Sequence, residues 1–124
     1  MTPLSRLRIL VTEDEPDTRD LLELILTAEG CEVTTRDDPQ QALTLAQTRA
    51  FDLYLLDNWM SNFSGIELCR KLRVFDRTTP IIFYSGAAYE SDKTDAFDAG
   101  AQGYIVKPAT PDELVSEITR LTSR

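Results

Sequence analysis

The chain has 124 residues, 42% of them hydrophobic, and carries a formal net charge of −8 with a sequence pI near 4.5. That length suits one domain with a real core, and the hydrophobic content is ordinary for a globular fold and too high for a disordered segment. The acidity argues against direct binding to nucleic acid or to an anionic membrane, whose phosphates repel such a surface, and leaves room for a basic partner.

No uninterrupted apolar stretch approaches the roughly 20 residues needed to span a bilayer. The segment Met1 to Arg6 lacks the apolar core of a signal peptide. Cys31 and Cys69 make no disulfide framework and read as two small buried hydrophobes. A reducing, cytoplasmic location is the default expectation.

Strand-like and helix-like segments alternate from end to end. Ile9-Leu10-Val11-Thr12 predicts a strand that leads into Glu13-Asp14. Pro16 suits the first turn of a helix, Leu21, Leu22, Leu24, Ile25 and Ala28 recur along it as its apolar face, and Gly30 ends it. Glu32 to Arg36 alternates polar and apolar, the pattern of an edge strand. Asp38 reads as an N-cap with Pro39 at the first helical position and Gln41 placed to return the cap's hydrogen bond; Ala42, Leu43, Leu45 and Ala46 form that helix's inner face. Leu53-Tyr54-Leu55-Leu56-Asp57 is an apolar run ending in a carboxylate. It predicts a strand buried on both faces whose last residue emerges where open α/β sheets bind ligands.

After a loop from Asn58 to Ser64, Gly65 to Arg73 predicts a helix that buries Ile66, Leu68, Cys69 and Leu72. Thr79-Pro80 introduces the strand Ile81-Ile82-Phe83-Tyr84, which ends in Ser85. Ser91 to Ala99 predicts a weak helix with only Ala96, Phe97 and Ala99 to bury, stopped by Gly100. Tyr104-Ile105-Val106 predicts a short strand ending in Lys107-Pro108. Thr110-Pro111-Asp112-Glu113 is a full capping box, followed by the stripe Leu114, Val115, Ile118 and Leu121.

Five strands alternating with five helices predict a parallel sheet with helices on both faces. The first, third and fourth strands are the most continuously apolar and belong in the middle, while the second and fifth belong at the edges. The order 2-1-3-4-5 satisfies these choices and describes an α/β, flavodoxin-like (βα)5 three-layer sandwich. Two carboxylate positions, a hydroxyl and an amine then stand at neighbouring strand ends, the makings of a compact phosphate and metal site.

In this order and on these strand ends, the motifs resemble those of response-regulator receiver domains of two-component phosphorelay systems. Ile9 to Pro16 resembles the family's first strand and acidic pocket. Asp57-Asn58-Trp59-Met60, with Gly65-Ile66-Glu67 downstream, resembles the phosphoacceptor loop. Ser85-Gly86-Ala87 resembles the switch hydroxyl with its small followers, and Gly103 to Pro108 the switch aromatic and lysine. The resemblance covers the whole chain and implies a single receiver domain over residues 1–124. Some positions depart from the pattern. Ser61 stands where the family usually has proline, Glu13 where aspartate is commoner, Ala101-Gln102-Gly103 where an acidic pair often precedes the aromatic, and Ala109 where phenylalanine often follows Lys-Pro. The last two weaken the case for the dimer interface of receivers in winged-helix transcription factors.

Asp57 is the candidate phosphoacceptor, since a carboxylate oxygen can attack a phosphoryl group in line to give an acyl phosphate. A divalent cation shared by Asp57, Asp14 and the phosphoryl oxygens would relieve the repulsion between anionic nucleophile and anionic donor. The hard oxygen ligands suit Mg²⁺ or Mn²⁺. The resemblance implies the backbone carbonyl of Trp59 as a further ligand and places Glu13 in the outer shell. The bland alternative is that Glu13 and Asp14 merely cap the first helix. Lys107 is expected to bind a phosphoryl oxygen as a point charge, against the common fate of a solvated lysine; Lys107-Pro108 resembles the family's cis bond. Local sequence makes Ser85 a turn residue before Gly86, whereas the resemblance makes it the hydroxyl that bonds the phosphoryl group. Tyr104 is the switch aromatic coupled to Ser85, or else ordinary edge-strand packing. The switch would be a population shift that reshapes the face of the fourth helix, fifth strand and fifth helix. Trp59, the single tryptophan, is expected to limit water's access to the acyl phosphate, or else simply to cover loop surface.

The expected activity is that of a signalling switch, not a turnover enzyme, charged by a sensor histidine kinase or a histidine phosphotransfer protein. It would pass its signal to a downstream protein or a fused output domain. A homodimer formed on phosphorylation stays open. A small aspartate-nucleophile phosphatase usually has a second acid where Trp59 stands and a cap insertion for which there is no room. A degenerate receiver that only mediates contacts is the other alternative, and the complete set of Asp57, Ser85 and Lys107 argues against it. The sequence ends soon after its fifth helix, as either a stand-alone regulator or part of a longer protein.

Overall fold

The computed structural model describes residues 3–123. Strands β1 (Arg8–Thr12), β2 (Glu32–Arg36), β3 (Leu53–Leu56), β4 (Ile81–Ser85) and β5 (Gly103–Val106) alternate with helices α1 (Pro16–Ala28), α2 (Pro39–Thr48), α3 (Gly65–Phe75), α4 (Glu90–Ala99) and α5 (Pro111–Thr122). All pairings are parallel, in the order β2-β1-β3-β4-β5. This is the flavodoxin-like order reached from the sequence. The most apolar strands are central because they alone can be covered on both faces; every residue of β3 and β4 is buried, whereas β2 is half-exposed.

Side-chain alternation along the strands splits the core into two layers. Leu10, Tyr54, Leu56, Ile81 and Phe83 pack with Leu43, Leu68, Leu72 and Ala96 of α2, α3 and α4. Ile9, Val11, Leu53, Leu55 and Ile82 pack with Leu22, Leu26, Leu114 and Ile118 of α1 and α5. Cys31 and Cys69 are free thiols, one in each layer, and burial pushes both up to about 11.

The helix ends follow their residues. Thr110 caps α5 by accepting the Glu113 N–H at 3.1 Å, and Ser64 does the same for α3 through Glu67. Three local details differ from the sequence reading. The buried stripe of α1 is Leu22 and Leu26, with Ile25 half-buried, while Leu21 and Leu24 are 52% and 68% exposed and Ala28 is exposed too. Apolar residues surround so much of this helix that spacing alone does not choose its face. Asp38 takes the Gln40 N–H at 3.1 Å, in the tighter bond that an aspartate cap makes two residues on. Phe97 is 46% exposed, leaving Ala96 and Ala99 as the buried residues of α4.

Candidate functional site

Parallel register brings the chemistry together. Thr12 pairs with Leu56 and Leu56 with Phe83, so β1 and β3 end at one level and β4 runs two residues further, to Ser85, along the same edge. The Asp57 N–H donates to the Thr12 carbonyl at 2.9 Å and the Lys107 N–H to the Ser85 carbonyl at 2.9 Å, which ties each emerging loop to its neighbour. The Lys107–Pro108 bond is cis. Gly65 lets α3 approach closely: a Cβ there would lie 2.3 Å from the Asp57 carbonyl oxygen and 2.9 Å from the Asn58 Cα. Asn58 holds the same junction, its side-chain oxygen accepting the Ile66 N–H at 3.1 Å.

Glu13, Asp14, Glu15, Pro16, Asp57, Trp59, Gly86 and Lys107 wall an open hollow of about 520 Å³ at this edge. Lys107 Nζ stands 2.9 Å from Glu13 Oε1 and 3.6 Å from Asp57 Oδ1, above the Tyr84 ring at 5.4 Å. Glu13 is 1% exposed; its second oxygen accepts the Glu15 N–H at 3.1 Å. Burial pushes the Glu13 carboxyl up, and the bond from Lys107 opposes that shift. Asp57 is also buried, with Oδ1 turned toward the Trp59 N–H at 3.5 Å. Asp14 is exposed on the wall. Neither Glu13 nor Asp14 caps α1. Glu15 does, accepting the Asp17 N–H at 2.8 Å.

Ser85 lies just outside the hollow. It is fully buried and its hydroxyl accepts the Ala87 N–H at 3.2 Å. The Ala87 carbonyl in turn accepts the Tyr104 hydroxyl at 2.6 Å. The Tyr104 ring is stacked on Phe83, with centroids 6.0 Å apart and planes at 9°. Ser85 and Tyr104 are therefore joined through the backbone of one residue, Ala87. The Trp59 ring is 66% exposed and lies over Gly86, where an added Cβ would meet it at 3.9 Å.

Arg19 belongs to the site and escaped the sequence reading. Its Nη1 donates to the carbonyls of Glu13 at 3.1 Å and Asp14 at 3.4 Å, bracing the loop that presents both acids. An arginine on the first turns of an acidic helix has no local signature that sets it apart from a solvated one.

The sequence and the fold were compared with known proteins. The sequence pattern of the response regulator receiver domain matches residues 9–119. The chain belongs to that family. Response regulator ArlR of Staphylococcus epidermidis is 38% identical to this receiver over 116 residues, covering 94% of this chain and 52% of that protein. Response regulator ArlR of Staphylococcus aureus is 38% identical over 117 residues, 94% of this chain and 53% of that protein. The receiver thus spans about half the length of these curated relatives. Among solved structures, Vibrio cholerae chemotaxis protein CheY4 is 28% identical with a TM-score of 0.90, covering 94% of this chain and 99% of that one. The receiver domain of sensor histidine kinase PA1611 from Pseudomonas aeruginosa is 28% identical with a TM-score of 0.90, covering 97% of this chain and 100% of that one, and was crystallised with a magnesium ion coordinated in its active site cleft.

The donors in this receiver suit such an ion in kind. Among the described residues, no three His, Cys, Asp or Glu side chains converge as a metal-holding group, and Glu13 is engaged with Lys107 and the Glu15 N–H. Magnesium keeps several waters and needs only one or two carboxylates. The hollow offers Asp14 and Asp57, both hard oxygen donors. No helix among the described residues is long and apolar enough to cross a membrane.

Proposed function

We propose that this receiver is a phosphorylation-activated switch whose phosphoacceptor is Asp57. The observation that carries the reading is a buried carboxylate and an amine 3.6 Å apart in a hollow that also holds Asp14. A carboxylate oxygen of Asp57 attacks the phosphorus of a phosphohistidine; the phosphorus–nitrogen bond breaks, the electron pair leaves with the imidazole, and Asp57 becomes an acyl phosphate. Hydrolysis of that bond returns the carboxylate and inorganic phosphate. Lys107 turns from Glu13 and Asp57 to a phosphoryl oxygen, a short move for a flexible ammonium that already touches both acids. Asp14, Asp57 and the Trp59 carbonyl would hold Mg²⁺ or Mn²⁺, with Glu13 in the outer shell. The bound ion supplies charge neutralisation at the phosphoryl oxygens.

The readout passes through Ala87. Ser85 gives up the Ala87 N–H to bond the phosphoryl group, Ala87 shifts, and Tyr104 loses the acceptor that now fixes its hydroxyl. α4 is free to respond because it buries only Ala96 and Ala99. The face of α4, β5 and α5 thereby changes shape with the charge state of Asp57.

The donor is a sensor histidine kinase or a histidine phosphotransfer protein. Its body must rest on the rim beside Asp57, and the apolar part of that rim is α1 with the start of α5. There Leu21, Ile25, Ala109 and Leu114 line a hollow of about 310 Å³ beside Tyr84. The test is intact mass after acetyl phosphate with Mg²⁺. The expected result is a gain of one phosphoryl group that is absent in Asp57→Asn and in chelator. An equal gain in Asp57→Asn would contradict the assignment.

A further inference from the structure

β2 closes the sheet on one side, with β1 as its one neighbour. Its ladder to β1 uses the backbone of Glu32, Thr34 and Arg36. The Glu32 N–H donates to the Leu7 carbonyl at 2.8 Å, and the Arg36 carbonyl accepts the Glu13 N–H at 3.0 Å. Strand alternation then turns the N–H and C=O groups of Val33 and Thr35 off the sheet. Among the described residues, the side chain that reaches them is Arg36, whose Nη1 donates to the Thr35 carbonyl at 2.6 Å. Glu32 is exposed and the rest of the strand is half-buried. An open edge of this kind is a template for another strand. The residues along it, Glu-Val-Thr-Thr-Arg, have a further property: turned antiparallel about Thr34, they complement themselves. Glu32 then faces Arg36 of a second copy, Val33 faces Thr35, and Thr34 faces Thr34.

We propose that the β2 edge pairs with the β2 edge of a second copy of this chain, antiparallel and centred on Thr34. Each Val33–Thr35 pair exchanges both of its N–H···O bonds, and Glu32 and Arg36 meet at the wide pairs, where side chains come closest. The Arg36 guanidinium leaves the Thr35 carbonyl for the facing carboxylate. Charge fixes the register. A slip of one residue sets inward-bonded groups against outward ones, and a slip of two leaves Glu32 or Arg36 opposite Thr34. The occupant is a second copy because the chain carries a net charge of −8, and copies repel wherever acids meet. A two-fold axis through Thr34, normal to the sheet, keeps the helix layers in place and sets α2 beside its own copy. α2 is the one helix with no charged residue. Its Gln40, Gln41, Thr44 and Thr48 line a hollow of about 310 Å³ with Arg36, a surface that meets its own kind without repulsion. Arg49 stays with its own protomer, donating to Thr34 Oγ1 at 2.8 Å and lying 5.1 Å from the centre of the Phe51 ring. Glu32 lines the same hollow as Arg49. The pairing is independent of the charge state of Asp57.

The test is sedimentation equilibrium of the whole chain up to millimolar concentration, without acetyl phosphate, on the parent, Glu32→Arg, Arg36→Glu and an equimolar mixture of the two variants. Neither side chain lines the hollow around Asp57. The parent is expected to show a monomer–dimer equilibrium at low salt. Each variant alone sets like charges at both wide pairs and is expected to self-associate at least about tenfold more weakly. The mixture sets arginine against glutamate at both and is expected to regain dimer at the parent's strength. That recovery guards against a folding effect, because a misfolded variant would not be rescued by its counterpart. Amide hydrogen exchange on the parent locates the contact. The outward amides of Val33 and Thr35 are expected to slow as concentration rises, while that of Thr34, already bonded within the sheet, stays constant. A chain that remains monomeric, a mixture no stronger than its components, or a dimer that leaves the exchange of Val33 and Thr35 unchanged would each overturn the proposal.

Discussion

Thr12 is the place where sequence and environment disagree most plainly, and Thr12→Val is the sharpest single test of the packing described above. The residue is fully buried at the end of β1, between β2 and β3, and its carbonyl accepts the Asp57 N–H. Among the described residues its hydroxyl is the one buried side-chain polar atom with no hydrogen-bond partner. A buried hydroxyl without a partner costs about 1–3 kcal/mol, and valine has nearly the same shape without that cost. The variant is therefore expected to be more stable by about 1–2 kcal/mol, against the usual direction for a substitution in a core. Unfolding entropy of about 2.1 cal/mol/K per residue over this length converts each kcal/mol into about 4 °C, so Tm should rise by about 4–8 °C. Calorimetric melts of both proteins in the same buffer measure it. A variant that melts lower than its parent would mean that the hydroxyl is satisfied in solution, and the reasoning from its isolation would fail.

Gly65→Ala is expected to cost more than 2 kcal/mol, roughly, although alanine ordinarily favours helix; the clash is with backbone at Asp57 and Asn58, which cannot move aside. A melt within a degree of the parent would contradict it. Asp76 accepts from the Tyr54 hydroxyl, the Thr79 hydroxyl and two N–H groups. Burial would raise its carboxyl, but bonds from Thr79, Tyr54 and Thr78 prevail and hold it below its usual 3.8. Because the folded value is the lower one, the stabilisation is present above about pH 3.8 and is lost as pH falls through the folded value. Asp76→Asn should accordingly cost about 1–2 kcal/mol at neutral pH and flatten the acid limb of urea midpoints against pH; parallel limbs would refute this. Trp59→Ala should shorten the lifetime of the acyl phosphate, read by loss of the phosphorylated mass with time, and an unchanged decay would remove any shielding role from the ring.

The sheet order was legible because it depends on one coarse property, the number of strand faces that must be apolar. Asp57 was legible for a similar reason: a carboxylate after four consecutive apolar residues has nowhere to go but the carboxyl edge. What escaped was whatever depends on rotation or distance. In α1 the leucines and isoleucine at 21, 22, 24, 25 and 26 occupy most of the circumference, so the buried pair Leu22 and Leu26 is fixed by the sheet below and not by their own spacing. The contact of Lys107 with Glu13 joins residues 94 apart, and only the parallel register makes it. The link from Ser85 to Tyr104 runs through the backbone of Ala87, whose side chain carries no sign of it. Arg19 acts on carbonyls, which every residue has.

The central claim is that Asp57 carries the phosphoryl group. It is tested most directly by treating the receiver with acetyl phosphate and Mg²⁺, reducing the product with borohydride, and mapping the modified peptide by fragmentation. Reduction of an aspartyl phosphate leaves homoserine, so the account predicts homoserine at position 57 and aspartate at position 14. Homoserine at another position, with position 57 unmodified, would contradict it.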